Sequence, residues 1–164
     1  MGEVLGDLKK KPTCNDLQEM RYLERAIKEV LRMYPSVHFI SRKLGEDMVT
    51  RCGHTISKGS MVNLHIYDLH HNPEIYPDPE KFDPDRFLPE NSQTRHPFAY
   101  LPFSAGARNC IGKKFAMLEL KTAICGILAN FVLEPIDSAS TIVLVADIVL
   151  RTKEGIKVRF VPRA

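Results

Sequence analysis

The distribution of proline constrains the fold of this chain more than any other feature of its sequence. Seven of the eleven prolines lie between Pro73 and Pro102. Proline fixes φ and has no N–H to donate, so it is poorly accommodated inside a helix or a central strand. The sequence therefore predicts an ordered, meandering loop over residues 73–102, which can be neither helix nor central strand.

Helical patterns lie on both sides of this proline-rich stretch. Apolar residues at helical spacing predict a first helix over about residues 15–34, with Asn15 or Thr13 as its N-cap and Pro35 as its stop. A longer apolar run predicts a buried helix over about residues 110–131.

Strand patterns occupy the other segments. Weak alternation and glycine turns predict short antiparallel strands over about residues 46–66, with residues 61–66 the clearest. Apolar residues near the end of the chain predict a hairpin over about residues 142–161 that turns at residues 153–155. The expected fold class is α+β, mainly α, with buried helices, short antiparallel hairpins and a proline-rich meander.

Composition excludes several classes of protein. The 164 residues are 44% hydrophobic and 26% charged, which is typical of a chain with a core and not of a disordered one. A net charge of +3 is too small to indicate a nucleic-acid partner, and we expect none. The four cysteines are too widely spaced for a paired zinc motif or a secreted disulfide framework, which favours a reducing compartment. No segment has the roughly 20 apolar residues that span a bilayer.

One cysteine has surroundings that favour its thiolate form. The motif Phe103-x-x-Gly106-x-Arg108-x-Cys110-x-Gly112 places a sulfur after a glycine turn and at the predicted start of the long helix. The positive end of a helix dipole favours S⁻ over SH, and the arginine offers donors to an anionic group. Alone, Cys110 would be interpreted as a small buried hydrophobe. In this setting, a soft anionic ligand beside a cation is typical of a site that ligates haem iron.

The motif resembles the haem-thiolate signature of the cytochromes P450. Two upstream motifs, Glu29-x-x-Arg32 and Phe-Asp-Pro-Asp-Arg-Phe at residues 82–87, stand in the order that this family shows. Residues 97–106 are most similar to the microsomal fourth family of P450s, which includes fatty-acid ω-hydroxylases and many insect enzymes. The resemblance covers essentially the whole chain and implies the C-terminal part, roughly a third, of the P450 fold.

The resemblance implies a haem b cofactor with Cys110 as the axial ligand of its iron. Phe103 and the N–H groups after the cysteine, at Ile111 and Gly112, are implied to tune the sulfur. Gly106 permits a turn with positive φ, and Gly112 permits the close approach of a flat partner.

Two arginines are implied to hold the haem propionates. Arg108 matches a family position that contacts one propionate, and a bidentate bond between cation and carboxylate suits it. Arg42 lies at another position where relatives bind propionate. The alternative for Arg42 is a solvated arginine at the end of a strand.

The resemblance also implies that Glu29, Arg32 and Arg86 form a buried ion network that fixes the meander against the first helix. The alternative is an exposed i,i+3 pair between Glu29 and Arg32, with Arg25 as a second surface partner. The role of the buried network would be structural support of the haem site.

Electron-transfer partners are implied by the family. Lys113 and Lys114 lie in the first turn of the long helix, where positive charge opposes the dipole, and they suggest docking of an acidic electron-transfer partner. The expected partners are NADPH–cytochrome P450 reductase, through which NADPH acts indirectly, and cytochrome b5. The expected location is the endoplasmic reticulum or microsomal membrane, reached through an N-terminal part that this chain lacks.

The expected activity is hydroxylation of an apolar small molecule, namely a fatty acid, a steroid or hormone, or a xenobiotic, with O₂ as co-substrate. We expect the chain to be a fragment or truncated product that holds the proximal haem-binding half and hydroxylates poorly when isolated. The alternative from another class is a non-catalytic haem-binding fragment.

Overall fold

The computed structural model describes residues 11–138 and 140–163. Within these ranges the α-helices are α1 (Cys14–Glu19), α2 (Arg21–Met33), α3 (Ile66–His70), α4 (Pro89–Ser92) and α5 (Lys113–Asn130). The strands are β1 (Phe39–Lys43), β2 (Met48–Val49), β3 (Thr55–Ile56), β4 (Met61–His65), β5 (Phe131–Pro135), β6 (Leu144–Ala146), β7 (Leu150–Thr152) and β8 (Val158–Pro162). The α+β class is confirmed, and none of the described helices is long and apolar enough to cross a membrane.

The predicted first helix is divided into α1 and α2 at Met20. Met20 has φ −77° and ψ 66°, outside the helical region, and its side chain is buried. It joins Leu17 and Cys125 of α5 in the hydrophobic core, so the break turns two apolar residues of the first helix toward the long helix. Helical periodicity alone does not reveal such a break, because the apolar spacing continues across it.

Thr13 is the N-cap of α1. The sequence had left Thr13 and Asn15 as alternatives. Its hydroxyl accepts a hydrogen bond from the backbone N–H of Asp16 at 3.3 Å, and the Asp16 carboxylate accepts from the Thr13 backbone N–H at 2.8 Å. This reciprocal pair satisfies two N–H groups that the first turn of a helix leaves without partners.

Replacing Thr13 by alanine is expected to lower the free energy of unfolding by about 1 kcal/mol, because it removes the acceptor of the cap. Urea unfolding followed by circular dichroism measures this loss. Thr13→Ser keeps the hydroxyl and is the matched control, expected to stay close to the unsubstituted chain. Equal stability of the alanine and serine variants would contradict the role of the cap.

The N-terminal strands form two antiparallel pairs, β1 with β4 and β2 with β3. Three of these strands lie within the predicted range 46–66, whereas β1 lies upstream of it. The strand predicted to reach residue 66 ends at His65, and Ile66 begins α3. Ile66 and Tyr67 both donate their backbone N–H to the carbonyl of His38, at 2.8 and 3.0 Å, which closes the ladder at this point.

The predicted hairpin over residues 142–161 is wrong in its pairing. β6 pairs with β7, whereas β8 pairs antiparallel with β5, the strand that follows the long helix. Phe160 on β8 packs edge to face on Phe131 of β5, with ring centroids 5.6 Å apart. An alternating pattern identifies a strand but not its partner, and cross-strand packing of this kind selects the partner.

The proline-rich stretch contains three one-turn helices: the 3₁₀-helices Pro84–Phe87 and Pro97–Ala99, and α4. The prediction that this stretch contains no helix is therefore wrong for these single turns. No helix or strand of more than four residues occurs in it. Each of these turns begins at a proline, where the missing N–H has no intrahelical acceptor to lose. The 3₁₀-helix Pro84–Phe87 packs against α2.

Candidate functional site

The segment between the meander and α5 is a turn-rich loop, residues 103–112. The backbone N–H of Cys110 donates to the carbonyl of Phe103 at 2.9 Å, so the two ends of the loop are joined by a hydrogen bond. Inside it, Ser104 has φ 60° and Gly106 has φ 81°. A side chain at Gly106 would be strained in this left-handed conformation, which explains the need for glycine there.

Cys110 is a free, exposed cysteine in this loop. The prediction that it opens the long helix is wrong, because α5 begins at Lys113 with Gly112 as its N-cap. A hydrogen bond still connects the loop to the helix, because Lys113 donates its backbone N–H to the Cys110 carbonyl at 3.4 Å. A β-carbon built on Gly112 would lie 3.8 Å from the Cys110 sulfur, so the thiol stands beside a residue that has no side chain.

Most of the other predicted cofactor residues lie near Cys110 in sequence, whereas Arg42 lies on β1. Phe103 is half-buried, and Ile111 is fully exposed at 103%. Arg108 is exposed, and no described contact links it to Cys110. Arg42 is exposed at the C-terminal end of β1, where its guanidinium donates to the Ser41 carbonyl at 2.9 Å. Both arginines are therefore accessible to an external anionic group.

Glu29 and Arg32 form a buried ion pair on α2. Neither side chain has exposed surface. The Arg32 guanidinium donates to both Glu29 carboxylate oxygens, from Nε at 2.8 Å and from Nη2 at 2.9 Å. Its remaining donors reach backbone carbonyls of α3 and the meander, His70 at 2.9 Å and Pro79 at 2.6 Å. This fork of charged donors ties three segments of the chain together.

Arg86 and the meander complete this cluster. The Arg86 Nε atom lies 3.4 Å from Glu29 Oε1 as an ion pair, and the backbone N–H of Asp83 donates to the same oxygen at 3.0 Å. The alternative of an exposed pair is wrong for Glu29 and Arg32, because both are fully buried. Arg25 pairs with Asp85 at 3.3 Å instead of serving as a surface partner of Glu29.

Aromatic residues of the meander support the cluster and were not identified from the sequence. Tyr76 is fully buried, and its hydroxyl donates to the Ala99 carbonyl at 3.1 Å. The Arg95 guanidinium lies 4.6 Å from the centroid of its ring. Tyr100 donates its hydroxyl to the carbonyl of Lys28 on α2 at 2.8 Å, and burial raises the pKa of both tyrosines. The one sequence signal that pointed to these residues was the presence of tyrosines in a stretch that is otherwise proline-rich and polar.

A basic cavity of about 590 Å³ adjoins the loop. Lys113 and Lys114 are exposed and line it together with Phe103. Deeper in the fold, the buried Lys121 donates from Nζ to the Leu17 carbonyl at 2.8 Å and to the Glu24 carboxylate at 3.0 Å. The two lysines predicted for partner docking thus lie on the same face as the aromatic residue of the Cys110 loop.

The site therefore combines a free, exposed thiol on a turn-rich loop with a buried ion cluster that binds the preceding meander. A sequence model of the family described as Cytochrome P450 matches residues 1–160, and the chain belongs to the cytochrome P450 family.

Its relatives belong to the fourth P450 family. The chain is 46% identical to Cytochrome P450 4c3 of Drosophila melanogaster over 99% of its own length and 30% of that protein. It is 48% identical to Probable cytochrome P450 4aa1 of the same species, over 99% of the chain and 32% of the relative. It is 45% identical to Cytochrome P450 4V2 of Rattus norvegicus, over 97% of the chain and 30% of the relative. The chain thus spans about 30% of the length of these curated relatives.

Membership of this family implies haem b as the cofactor. The residues of the loop fit such a group. Cys110 offers a sulfur that is bound in no disulfide and is open to solvent. Gly112 leaves space beside the sulfur, and Ile111 presents an unpacked apolar side chain next to it in sequence. A soft donor next to exposed apolar surface matches the chemistry of an iron porphyrin.

Proposed function

We propose that Cys110 is the axial thiolate ligand of a haem, and that the whole protein is a monooxygenase that hydroxylates an apolar small molecule. The observation that supports this most is the loop itself: the backbone that carries its free thiol is held by the hydrogen bond from the Cys110 N–H to the Phe103 carbonyl and includes left-handed turns at Ser104 and Gly106. A backbone held in this way keeps the position of the ligating residue before the cofactor arrives.

Each residue of the loop has a distinct role in this proposal. Cys110 would hold the haem iron through its sulfur, and Phe103 would limit the access of water to that sulfur. The N–H groups of Ile111 and Gly112 tune the sulfur, and Arg108 binds a propionate. Arg42 is a second propionate donor. When bound, the haem supplies the activation of O₂ and the transfer of electrons to it.

The buried cluster of Glu29, Arg32 and Arg86 supports this site without contacting the reacting atoms. Arg32 and Glu29 bind the backbone of the meander through Pro79 and Asp83, and the meander leads directly into the loop. Loss of the cluster would release the segment that precedes Phe103.

The exposed lysines Lys113 and Lys114 would favour the docking of a protein that donates electrons. Lys113 and Lys114 add positive charge to the face that also carries Phe103, which favours an acidic flavoprotein surface. We propose NADPH–cytochrome P450 reductase as the donor, with NADPH acting only through it, and cytochrome b5 as a further donor. The proposed location is the membrane of the endoplasmic reticulum, and the proposed substrates are fatty acids, steroids, hormones or xenobiotics.

A chimera tests the monooxygenase proposal, because this chain spans only part of its relatives. The chain would replace the aligned segment of rat Cytochrome P450 4V2, and product formation would be measured with reductase, NADPH and a panel of fatty acids, steroids and xenobiotics. We expect a hydroxylated product that Cys110→Ser abolishes. Cys52→Ser, another exposed cysteine, is the matched control and should leave the product unchanged. Haem uptake without any product would favour the alternative, a non-catalytic haem-binding protein.

A further inference from the structure

His70 at the end of α3 is fully buried and makes two bonds to different parts of the site. Its backbone carbonyl accepts from Arg32 Nη1 at 2.9 Å. Its ring Nε2 accepts from the backbone N–H of Leu101 at 2.9 Å. The same residue therefore contacts the buried ion pair on α2 and the last residues of the meander.

The contact at Leu101 lies two residues before the Cys110 loop, residues 103–112. The Leu101 carbonyl accepts from the N–H of Ser104 at 3.0 Å, and the Phe103 carbonyl accepts from the N–H of Cys110 at 2.9 Å. His70 thus holds the backbone from which the first turn of the loop is built. The ring also stacks on Tyr100, with centroids 5.2 Å apart, which fixes its plane.

The bond to Leu101 requires a neutral imidazole. Because Nε2 accepts a hydrogen bond, the neutral ring carries its proton on Nδ1, which is buried. Protonation of Nε2 would place two donors against each other and break the bond. It would also add a buried positive charge near Arg32.

We propose that His70 is a positioning residue for the Cys110 loop, a neutral imidazole that couples the Glu29–Arg32 pair to Leu101 and releases the loop when it is protonated. The proposal deepens the proposed function and rests on it for the consequence at the haem. The coupling itself concerns hydrogen bonds within this chain and can be tested without haem.

The groups around the ring set the direction of the pH dependence. Burial, the Arg32 guanidinium and the neighbouring His71 lower the pKa of His70 to about 4, although the backbone carbonyls of Arg32 and Leu31 oppose this. Glu29 neutralises Arg32 on its far side, and the rings of Tyr76 and Tyr100 face the imidazole in neutral form.

A histidine with a lowered pKa binds its proton more tightly when the site opens. Opening is therefore favoured as pH falls below the ordinary value of 6.5, and the effect saturates below about 4.

Amide hydrogen exchange of the haem-free chain, measured by NMR and corrected for the intrinsic rate at each pH, tests this coupling. Protection of the Leu101 and Cys110 amides is expected to fall about 20-fold between pH 7 and pH 5. The Leu44 amide, which donates to Ser60 in the N-terminal strand region, is the internal reference and is expected to keep its protection. An equal loss at Leu44 would show global destabilisation and overturn the proposal, as would protection at Leu101 that is independent of pH.

Two variants separate positioning from simple packing. His70→Gln keeps a neutral acceptor for the Leu101 N–H, so we expect protection like that of the unsubstituted chain at pH 7 but without the fall at pH 5. His70→Leu removes the acceptor and should lower protection at Leu101 and Cys110 at both pH values. A pH-dependent loss that persists in His70→Gln would overturn the proposal. Failure here with a Cys110-dependent haem spectrum intact would refute the coupling alone and leave the haem-thiolate proposal standing.

Discussion

Replacing Arg32 by alanine is expected to lower the free energy of unfolding of this chain by about 3–5 kcal/mol. The substitution leaves the fully buried Glu29 carboxylate without its bidentate partner, and it leaves the carbonyls of His70 and Pro79 without their donor. Removing one partner of a buried ion pair is costly because the remaining charge stays in a poorly solvated place. Urea unfolding followed by far-ultraviolet circular dichroism gives the change.

An exposed ion pair in the same chain provides the matched control. Arg151 and Asp147 lie at i,i+4 spacing, with side chains 55% and 52% exposed. Arg151→Ala should cost about 0.5 kcal/mol or less, because solvent screens the pair. Arg32→Lys keeps the charge but loses the planar fork, and it should fall between the other two variants. Equal losses in Arg32→Ala and Arg151→Ala would show that the buried cluster does not support the fold.

Replacing Cys110 by serine is expected to weaken haem binding by about tenfold or more, equivalent to about 1.4 kcal/mol. The substitution exchanges a soft sulfur donor for a hydroxyl that ionises poorly and coordinates iron weakly. Titration of the chain with ferric haem, followed in the Soret region, measures the dissociation constant.

Cys14 and Cys52 are also exposed, and each provides a control serine variant that keeps the loop intact. Their dissociation constants should match that of the unsubstituted chain. Equal weakening in all three variants would show that binding depends on thiols in general and not on Cys110.

Local sequence patterns predicted the positions of the helices and strands more readily than they predicted which of these elements pack or pair together. Proline clustering located the meander, and the Thr13 cap and the apolar run of α5 are local properties. The pairing of β8 with β5 was not predictable, because it depends on the contact of Phe160 with Phe131 across nearly thirty residues of sequence. The break at Met20 was missed for a similar reason, since the core contact with Cys125 is distant in sequence.

The candidate site shows the same division. The spacing of Glu29 and Arg32 and the motif around Cys110 are visible in sequence, and the structure places the first two in one buried pair. His70, Tyr76 and Tyr100 could not be identified, because their roles arise from burial and from bonds to distant backbone groups. The positive φ of Gly106 agrees with the turn expected there, whereas the start of α5 at Lys113, three residues after Cys110, was not predicted.

The absorption spectrum of the haem-loaded, reduced chain under carbon monoxide tests most directly whether the Cys110 sulfur ligates iron. A sulfur anion on the metal shifts the Soret band strongly to the red, so we expect this shifted band in the unsubstituted chain and its loss in Cys110→Ser. The same shifted band in both proteins, or an unshifted band in the unsubstituted chain, would contradict the assignment of Cys110 as the axial ligand.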